Sequence, residues 1–295
     1  MSTATAPDRT LAKASGTTMA GGEPPVAVIC PTQGWAALRV SELWQYRELL
    51  YFMVWRDVKV RYKQTILGAA WAVLQPLLTM IIFTLVFSKL AKVPSEGVPY
   101  PIFAYCALVP WTLFAFALSE SANSLVGNQH LVTKVYFSRL VIPVTPVLVG
   151  LVDFSIAFVL LLAMMAYYGV HPGVAVVTLP FFLLLAIGTA LGAGLWLSAL
   201  NVEYRDVRHT IPFLTQFWLF ASPIAYPASA VPAKWRPLYE LNPIAGVVEG
   251  FRWALLGTHD APGVTLLGSS AMVALLVFSG LIYFRRVEKT FADVV

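Results

Sequence analysis

The chain has 295 residues, 58% of them hydrophobic and 12% charged, with a formal net charge of +5 and a mean hydropathy of +0.73. Soluble domains carry about 25% charged residues, so a soluble core is excluded. Apolar runs well beyond the ~10-residue alternating segments of a barrel predict an all-α membrane protein, and the basic excess fits cytoplasmic loops rather than nucleic-acid binding.

Residues 1–38 are rich in Ser, Thr, Ala, Gly and Pro and lack an apolar run behind a basic start, which predicts a disordered cytoplasmic tail rather than a signal peptide. Cys30 in this tail and Cys106 in an apolar run lie at depths too different for a bridge. Residues 40–63 read VSELWQYRELLYFMVWRDVKVRYK, with Leu50, Val54 and Val58 on one i, i+4 stripe and basic residues crowded toward the end. The pattern predicts an amphipathic helix at the membrane interface, for which a plain surface anchor is a sufficient role.

Six stretches are long enough, or nearly so, to span the bilayer: 66–90, 102–126, 140–170, 174–200, 211–231 and 264–284. Six crossings place both termini on one side, and the twenty Lys and Arg residues test this. Fifteen fall on that side: eight up to Lys63, Lys134 and Arg139 in the second-to-third loop, Arg205 and Arg208 in the fourth-to-fifth, and Arg285, Arg286 and Lys289 at the end. Only Lys89, Lys92, Lys234, Arg236 and Arg252 lie opposite, so the positive-inside rule puts both termini in the cytoplasm, with 285–295 a short tail.

Two connecting segments stand out. The basic loop 127–139, GNQHLVTKVYFSR, obeys the insertion rule on charge alone, while the helical spacing of Leu131 and Val135 also suits a cytoplasmic partner. The apolar run 241–257 contains Pro243, Glu249 and Arg252 and is bounded by Asn242-Pro243 and Gly257. As a span it would cost several kcal/mol for its charges, so it is expected to form a short re-entrant or surface hairpin on the extracytoplasmic side.

Several chemistries have no residues to carry them. No G-x-x-x-x-G-K-[ST] loop occurs, so ATP is not hydrolysed by this chain. His130, His171, His209 and His259 sit singly in different loops, which gives no metal-ligand spacing, and no nucleophile elbow is present. Glu203 and Asp206 in NVEYRDVRH lack the spacing of a sugar-nucleotide donor site. Glu120 and Asp153 fall within spans, where a carboxylate reads as a proton relay or as a polar tie in helix packing. Gly188, Gly192 and Gly194 make a small-residue face suited to helix packing. Trp71, Trp111, Phe114, Phe213, Phe217 and Tyr226 in spans one, two and five read as lipid-facing belts or, with Phe213 and Phe217 at i, i+4, as rings that stack on sugars in a lumen.

The order of segments, a basic interfacial helix running into RYKQTILGAAWAVLQPLL, then LVPWTLFAFALSESANSLVGNQHLVTKVYFSRLVIP, then LNPIAGVVEGFRWALLG, resembles the transmembrane subunit of bacterial ABC exporters of polysaccharides, the O-antigen and teichoic-acid permeases. The resemblance covers about residues 40–290. It implies six helices per subunit, a homodimer with two copies of a separate ATPase that binds ATP and Mg, no cofactor in this chain, and location in the bacterial inner membrane. It implies a coupling helix near 128–137, carried by Asn128, Gln129, His130, Lys134, Val135, Tyr136 and Phe137, and an interface helix at 40–63. Arg56, Lys59, Arg61 and Lys63 would meet either the diphosphate headgroup of a lipid-linked polysaccharide or plain anionic membrane lipids. Gate helices near 233–257 would use Trp235, Pro243, Glu249 and Arg252. An exporter of a drug or small lipid and a proton-coupled transporter are the rival functions.

Overall fold

A computed structural model describes residues 41–63, 70–135, 137–257 and 263–291, all within one compact unit, residues 37–295. The expected tail over 1–38 lies outside them. Every regular element among the described residues is helical. Besides short 3-10 turns, among them Val174–Thr178 at the head of α7, they are in chain order α1 (Ser41–Gln45), α2 (Arg47–Lys63), α3 (Ala70–Phe83) with a π-helical continuation Thr84–Leu90, α4 (Tyr100–Gly127), α5 (Gln129–Lys134), α6 (Val141–Tyr168), α7 (Leu179–Glu203), α8 (Val207–Ala221), α9 (Arg236–Glu240), α10 (Pro243–Leu256) and α11 (Val264–Val287).

Among the described residues, five helical stretches are long and apolar enough to cross a membrane: Ala70–Leu90, Tyr100–Gly127, Val141–Tyr168, Val174–Glu203 and Leu266–Val287. Five of the six expected spans thus match within a few residues. The fifth, expected over 211–231, does not form one helix of that length. Helix α8 stops at Ala221, because Pro223 disfavours a helical Ser222, whose φ of −110° and ψ of 153° are extended, and Pro227 again removes an amide donor. Fifteen residues rise about 22 Å, short of a ~30 Å hydrocarbon core.

Helix α4 is the centre of the bundle, with 78% of its span enclosed against 33% or less for the other four. It packs on α6 and α7 over their lengths and on α3, α8 and α10 in part, while α11 lies along α7. Small residues set that last contact. A Cβ on Gly192 would lie 2.7 Å from the backbone of Leu276 and Val277, one on Gly280 2.5 Å from the Gly192 carbonyl oxygen, and one on Gly188 2.7 Å from Val273 Cγ1. The glycine face is therefore a packing surface, and Trp196 stacks on Tyr283 beside it at 4.2 Å.

The two ends of the bundle differ. At one, Met53, Leu125, Val132, Phe137, Leu140, Leu195, Val202, Phe284 and Phe291 form a second apolar cluster, which gathers α2, the ends of α4, α7 and α11, α5 and the start of α6. At the other, the Tyr100 hydroxyl at the head of α4 donates to the Ala225 carbonyl (2.6 Å), and Ser269 near the head of α11 donates to Glu240 and Asn242 carbonyls. Helix α11 continues to Val287, and Phe291 beyond it is fully buried in the second apolar cluster.

Candidate functional site

The segment 128–137 becomes a short helix on a rigid base. Asn128 closes α4 and opens α5, with its side-chain amide donating to the Ser124 carbonyl (2.9 Å). Val132 and Phe137 are buried in the apolar cluster, which anchors the element from beneath, while Gln129, His130, Thr133, Lys134 and Val135 face outward. Tyr136 lies outside the described residues. Behind the helix, Arg139 donates to the Glu288 carbonyl and lies over the Phe291 ring (5.9 Å), and Arg285 pairs with Glu288 (2.8 Å). The result is an exposed polar and basic knob that cannot sink into the bundle without displacing this packing.

Helix α2 packs Leu49, Leu50 and Met53 into the apolar cluster, joined by Tyr46 just before it, and Val54 and Val58 of the stripe read from the sequence are half-buried. Its outer face is not simply polar. Tyr51, Phe52 and Trp55 are exposed there beside Arg56, Lys59 and Lys63, a mixture suited to the headgroup layer of a membrane. The four basic residues divide. The Arg56 guanidinium bonds Asp57 (2.8 Å) and reaches the Asn128 side-chain oxygen (3.4 Å). Arg61 pairs with Asp153 of α6 (2.8 Å) and stacks over Phe116 of α4 (4.2 Å). All four side chains are exposed, but Arg56 and Arg61 each also hold a partner within the protein, whereas Lys59 and Lys63 face outward.

Asp153 also accepts a hydrogen bond from the Tyr62 hydroxyl. Burial, and then that carboxylate, push the Tyr62 phenol well above its usual range, so it remains a donor at any physiological pH. Asp153 thus serves as a polar tie between helices, the plainer of its two readings. Glu120 is exposed on α4.

At the far end, Asn242 and Arg252 organise the approach to α10. The Asn242 side-chain oxygen caps α10 by accepting from the Ile244 amide (3.1 Å) and also accepts from the Trp218 indole (2.9 Å). Its amide group donates to the Ala221 carbonyl (3.1 Å) and the Ser222 hydroxyl (3.0 Å), so both oxygen and nitrogen are fully used. Pro243 follows at the first helical position, where a missing amide costs nothing. Arg252, 1% exposed, donates to the carbonyls of Pro223 (2.6 Å) and Ile224 (2.9 Å), reaches those of Tyr226 and Phe103 at 3.4 Å, and lies 3.5 Å over the Phe103 ring. Burial pulls its pKa down to about 10, which leaves it charged at neutral pH. Glu249, one turn earlier, is raised to about 7, by burial first and then by Glu96 and Glu240 against the opposing pull of Arg252. Helix α10 packs against α4, α7 and α11, with most of its residues buried. Trp235 is exposed on the turn that precedes α9.

The aromatic residues separate into two sets. Trp111 and Phe114 are buried on α4, 5.4 Å apart, and Phe114 packs edge-on against Trp218 of α8 (4.9 Å). Tyr226 is half-buried and donates to the Phe220 carbonyl (2.9 Å). Trp71, Phe213 and Phe217 are exposed, on α3 and α8. Sequence reasoning missed Tyr62, Phe116 and Asn242 as organising groups. The Asn-Pro step before an apolar run was a legible N-cap, whereas the other two matter only through partners distant in sequence.

Among the described residues no group of three His, Cys, Asp or Glu is placed to hold a metal ion. The architecture defines a multi-pass helical membrane protein whose buried polar groups fix helix ends and contacts. Residues 48–256 match the ABC-2 type transporter family, and the chain belongs to it as a membrane permease. It is similar to the O-antigen export system permease protein RfbA of Myxococcus xanthus, 31% identical over 84% of this chain and 96% of that one. RfbA of Klebsiella pneumoniae is 27% identical over 84% and 95%, and the polysialic acid transport protein KpsM of Escherichia coli 22% over 79% and 91%.

Proposed function

We propose that this chain is the membrane subunit of an ATP-driven exporter that moves lipid-linked polysaccharide of the O-antigen class across the bacterial inner membrane. The observation that carries this reading is the match to permeases named for O-antigen export along 84% of the chain, joined to an outward basic helix, α5, in a sequence without a nucleotide loop. In this reading two copies pair with two copies of a separate ATPase, which bind ATP and Mg, and α5 docks on that ATPase through Gln129, His130, Lys134 and Val135. Six crossings follow if α8 and the turn after it cross together, with both termini cytoplasmic. The gathering of α2, α5 and the end of α11 in one apolar cluster supports that parity, as does the concentration of fifteen of twenty basic residues on one side. Lys59 and Lys63 attract anionic headgroups, the diphosphate carrier among them. The exposed rings of Trp71, Phe213 and Phe217 line the path between paired subunits, and α9 and α10 form a re-entrant gate at its exit.

The test is genetic and biochemical together. Cells lacking the chain are expected to retain polymer inside, with surface polymer restored by the wild type and not by Lys134→Glu, although that variant still inserts in the membrane. Wild-type surface polymer in cells lacking the chain overturns the export reading; full restoration by Lys134→Glu overturns the docking role of α5.

A further inference from the structure

Asp153 lies twelve residues into α6, about 18 Å along its axis from the end at which the helix begins. A carboxylate at that depth needs a partner, and the partner comes from outside the row of spanning helices. Near its C-terminal end, α2 delivers Arg61 to one carboxylate oxygen (2.8 Å) and the Tyr62 hydroxyl to the other. The receptacle is shaped for this. The Arg61 guanidinium lies over the face of Phe116, 4.2 Å from its centroid. Phe116 reaches that position because α6 has glycine at 150, three residues before Asp153 and so on the same helical face. A Cβ there would come within 3.0 Å of Phe116 Cδ1 and Leu113 Cδ1. Gly150, Phe116 and Asp153 thus supply clearance, a π face and a charge, and together they accept one guanidinium.

The same helix is fixed a second time. Five residues earlier, Arg56 reaches the Asn128 side chain, the residue that opens α5. Met53 meanwhile is buried in the cluster that also holds Val132 of α5. Helix α2 therefore touches the cap residue of α5 at one point and the flanks of α4 and α6, through a half-exposed Arg61, at another, with one regular helical segment between them.

We infer that α2 is a rigid strut that carries displacement of α5 into α4 and α6 through the Arg61–Asp153–Phe116 socket, so that Asp153 is a positioning residue for transport rather than a proton carrier. The inference rests on the proposed ATP-driven export. A push on α5 that reached only the apolar cluster could dissipate in side-chain adjustment, whereas a charge held in a socket has one low-energy seat and must move with its helix. A pair that works as a unit also gives a distinct genetic signature, since removing either member removes the whole effect.

The experiment uses the complete complex of this chain with its ATPase in vesicles containing anionic lipid, and reads ATP hydrolysis, glycan carried per ATP, and copurification of the two subunits. Asp153→Asn and Arg61→Met are each expected to keep copurification and hydrolysis, while glycan carried per ATP falls about tenfold. The double variant falls no more than about twofold below the worse single one, and Asp153→Glu recovers about half of the wild-type ratio. Phe116→Leu keeps the ion pair and removes its platform; a fall of about threefold is expected, and this variant decides the matter if the charge variants do not assemble. Single variants within about twofold of the wild type, or losses that multiply in the double variant, overturn the strut. So does an Asp153→Asn loss that Arg61→Met does not share, with wild-type export that collapses when the proton gradient is dissipated. If the wild-type complex moves no glycan on ATP, the export reading fails; if it does and Asp153→Asn moves as much per ATP, only the strut fails.

Discussion

Replacing Arg252 by Met keeps side-chain length and removes the charge from the centre of the turn between α8 and α10. Two firm hydrogen bonds disappear, to Pro223 at 2.6 Å and Ile224 at 2.9 Å, along with two weaker ones at 3.4 Å and the contact with Phe103. Bonds to a charged donor contribute about 1.5–3 kcal/mol each, so the firm pair contributes about 3–6 kcal/mol. The stacking on Phe103 adds about 1 kcal/mol. Relief from burying a guanidinium offsets several kcal/mol, but the carbonyls left behind are buried and each costs about 1–3 kcal/mol without a donor. The net is a loss of about 3–5 kcal/mol. At about 2–4 °C per kcal/mol for a chain of this size, the thermal midpoint of the purified protein in detergent should fall by about 10 °C. Arg252→Lys, a point charge without the planar fork, should lose about half as much. Limited proteolysis should then open first in the segment from Ser222 to Trp235, which loses its anchor. A midpoint for Arg252→Met within about 2 °C of the wild type, or a Lys variant less stable than the Met variant, would refute the cage.

Asn242→Ala removes an N-cap and leaves the Trp218 indole without an acceptor, for an expected loss of about 2–4 kcal/mol in the same melt; Asn242→Asp, which keeps the acceptor and drops two donors, should fall between. Gly192→Ala places a carbon 2.7 Å from the α11 backbone, so α7 and α11 must separate, and destabilisation of at least about 1–3 kcal/mol is expected, whereas Gly127→Ala, where nothing lies within 4 Å, should be neutral or stabilising. Glu249 is raised to about 7 in the folded chain and returns to 4.5 when unfolded. The folded state therefore holds this proton more tightly, and the group's contribution is fully present below about pH 4.5 and declines as pH rises to 7, by roughly 3 kcal/mol at most. Thermal midpoints measured from pH 5 to 8 should fall for the wild type and stay flatter for Glu249→Gln, with Glu96, Glu240, Tyr239 and Arg252 as the neighbouring charges that modulate the slope.

Most of the spanning framework was legible because a hydrophobic run of about 20 residues is its own signal, independent of anything distant in the chain. The fifth stretch shows where that signal stops. Averaged over a window, 211–231 is apolar enough to span, yet Pro223 and Pro227 end the helix at Ala221, and the carbonyls they free are taken up by Arg252 and Tyr100. A proline in a membrane helix is tolerated when neighbours meet the stranded groups, and those neighbours are invisible to a local reading because they sit about 30 residues onward and over 100 residues back. The charge in 241–257 that argued against a span was thus read correctly as an anomaly, while its partners were backbone oxygens, which no motif records.

The basic residues of α2 make the same point from the other direction. As a cluster Arg56, Lys59, Arg61 and Lys63 look interchangeable, and charge patterning alone assigns them one role, attraction to anionic headgroups. Their partners divide them, since Arg56 and Arg61, with side chains 47% and 41% exposed, pair with Asp57 and Asp153, while Lys59 and Lys63 simply face outward. The division also follows the chemistry of the side chains. A planar guanidinium satisfies a carboxylate and an aromatic face at once, as Arg61 does with Asp153 and Phe116, which a lysine ammonium does poorly. The intramembrane Asp153 and the nearby arginine, each unexplained when taken singly, account for one another once the two helices are side by side.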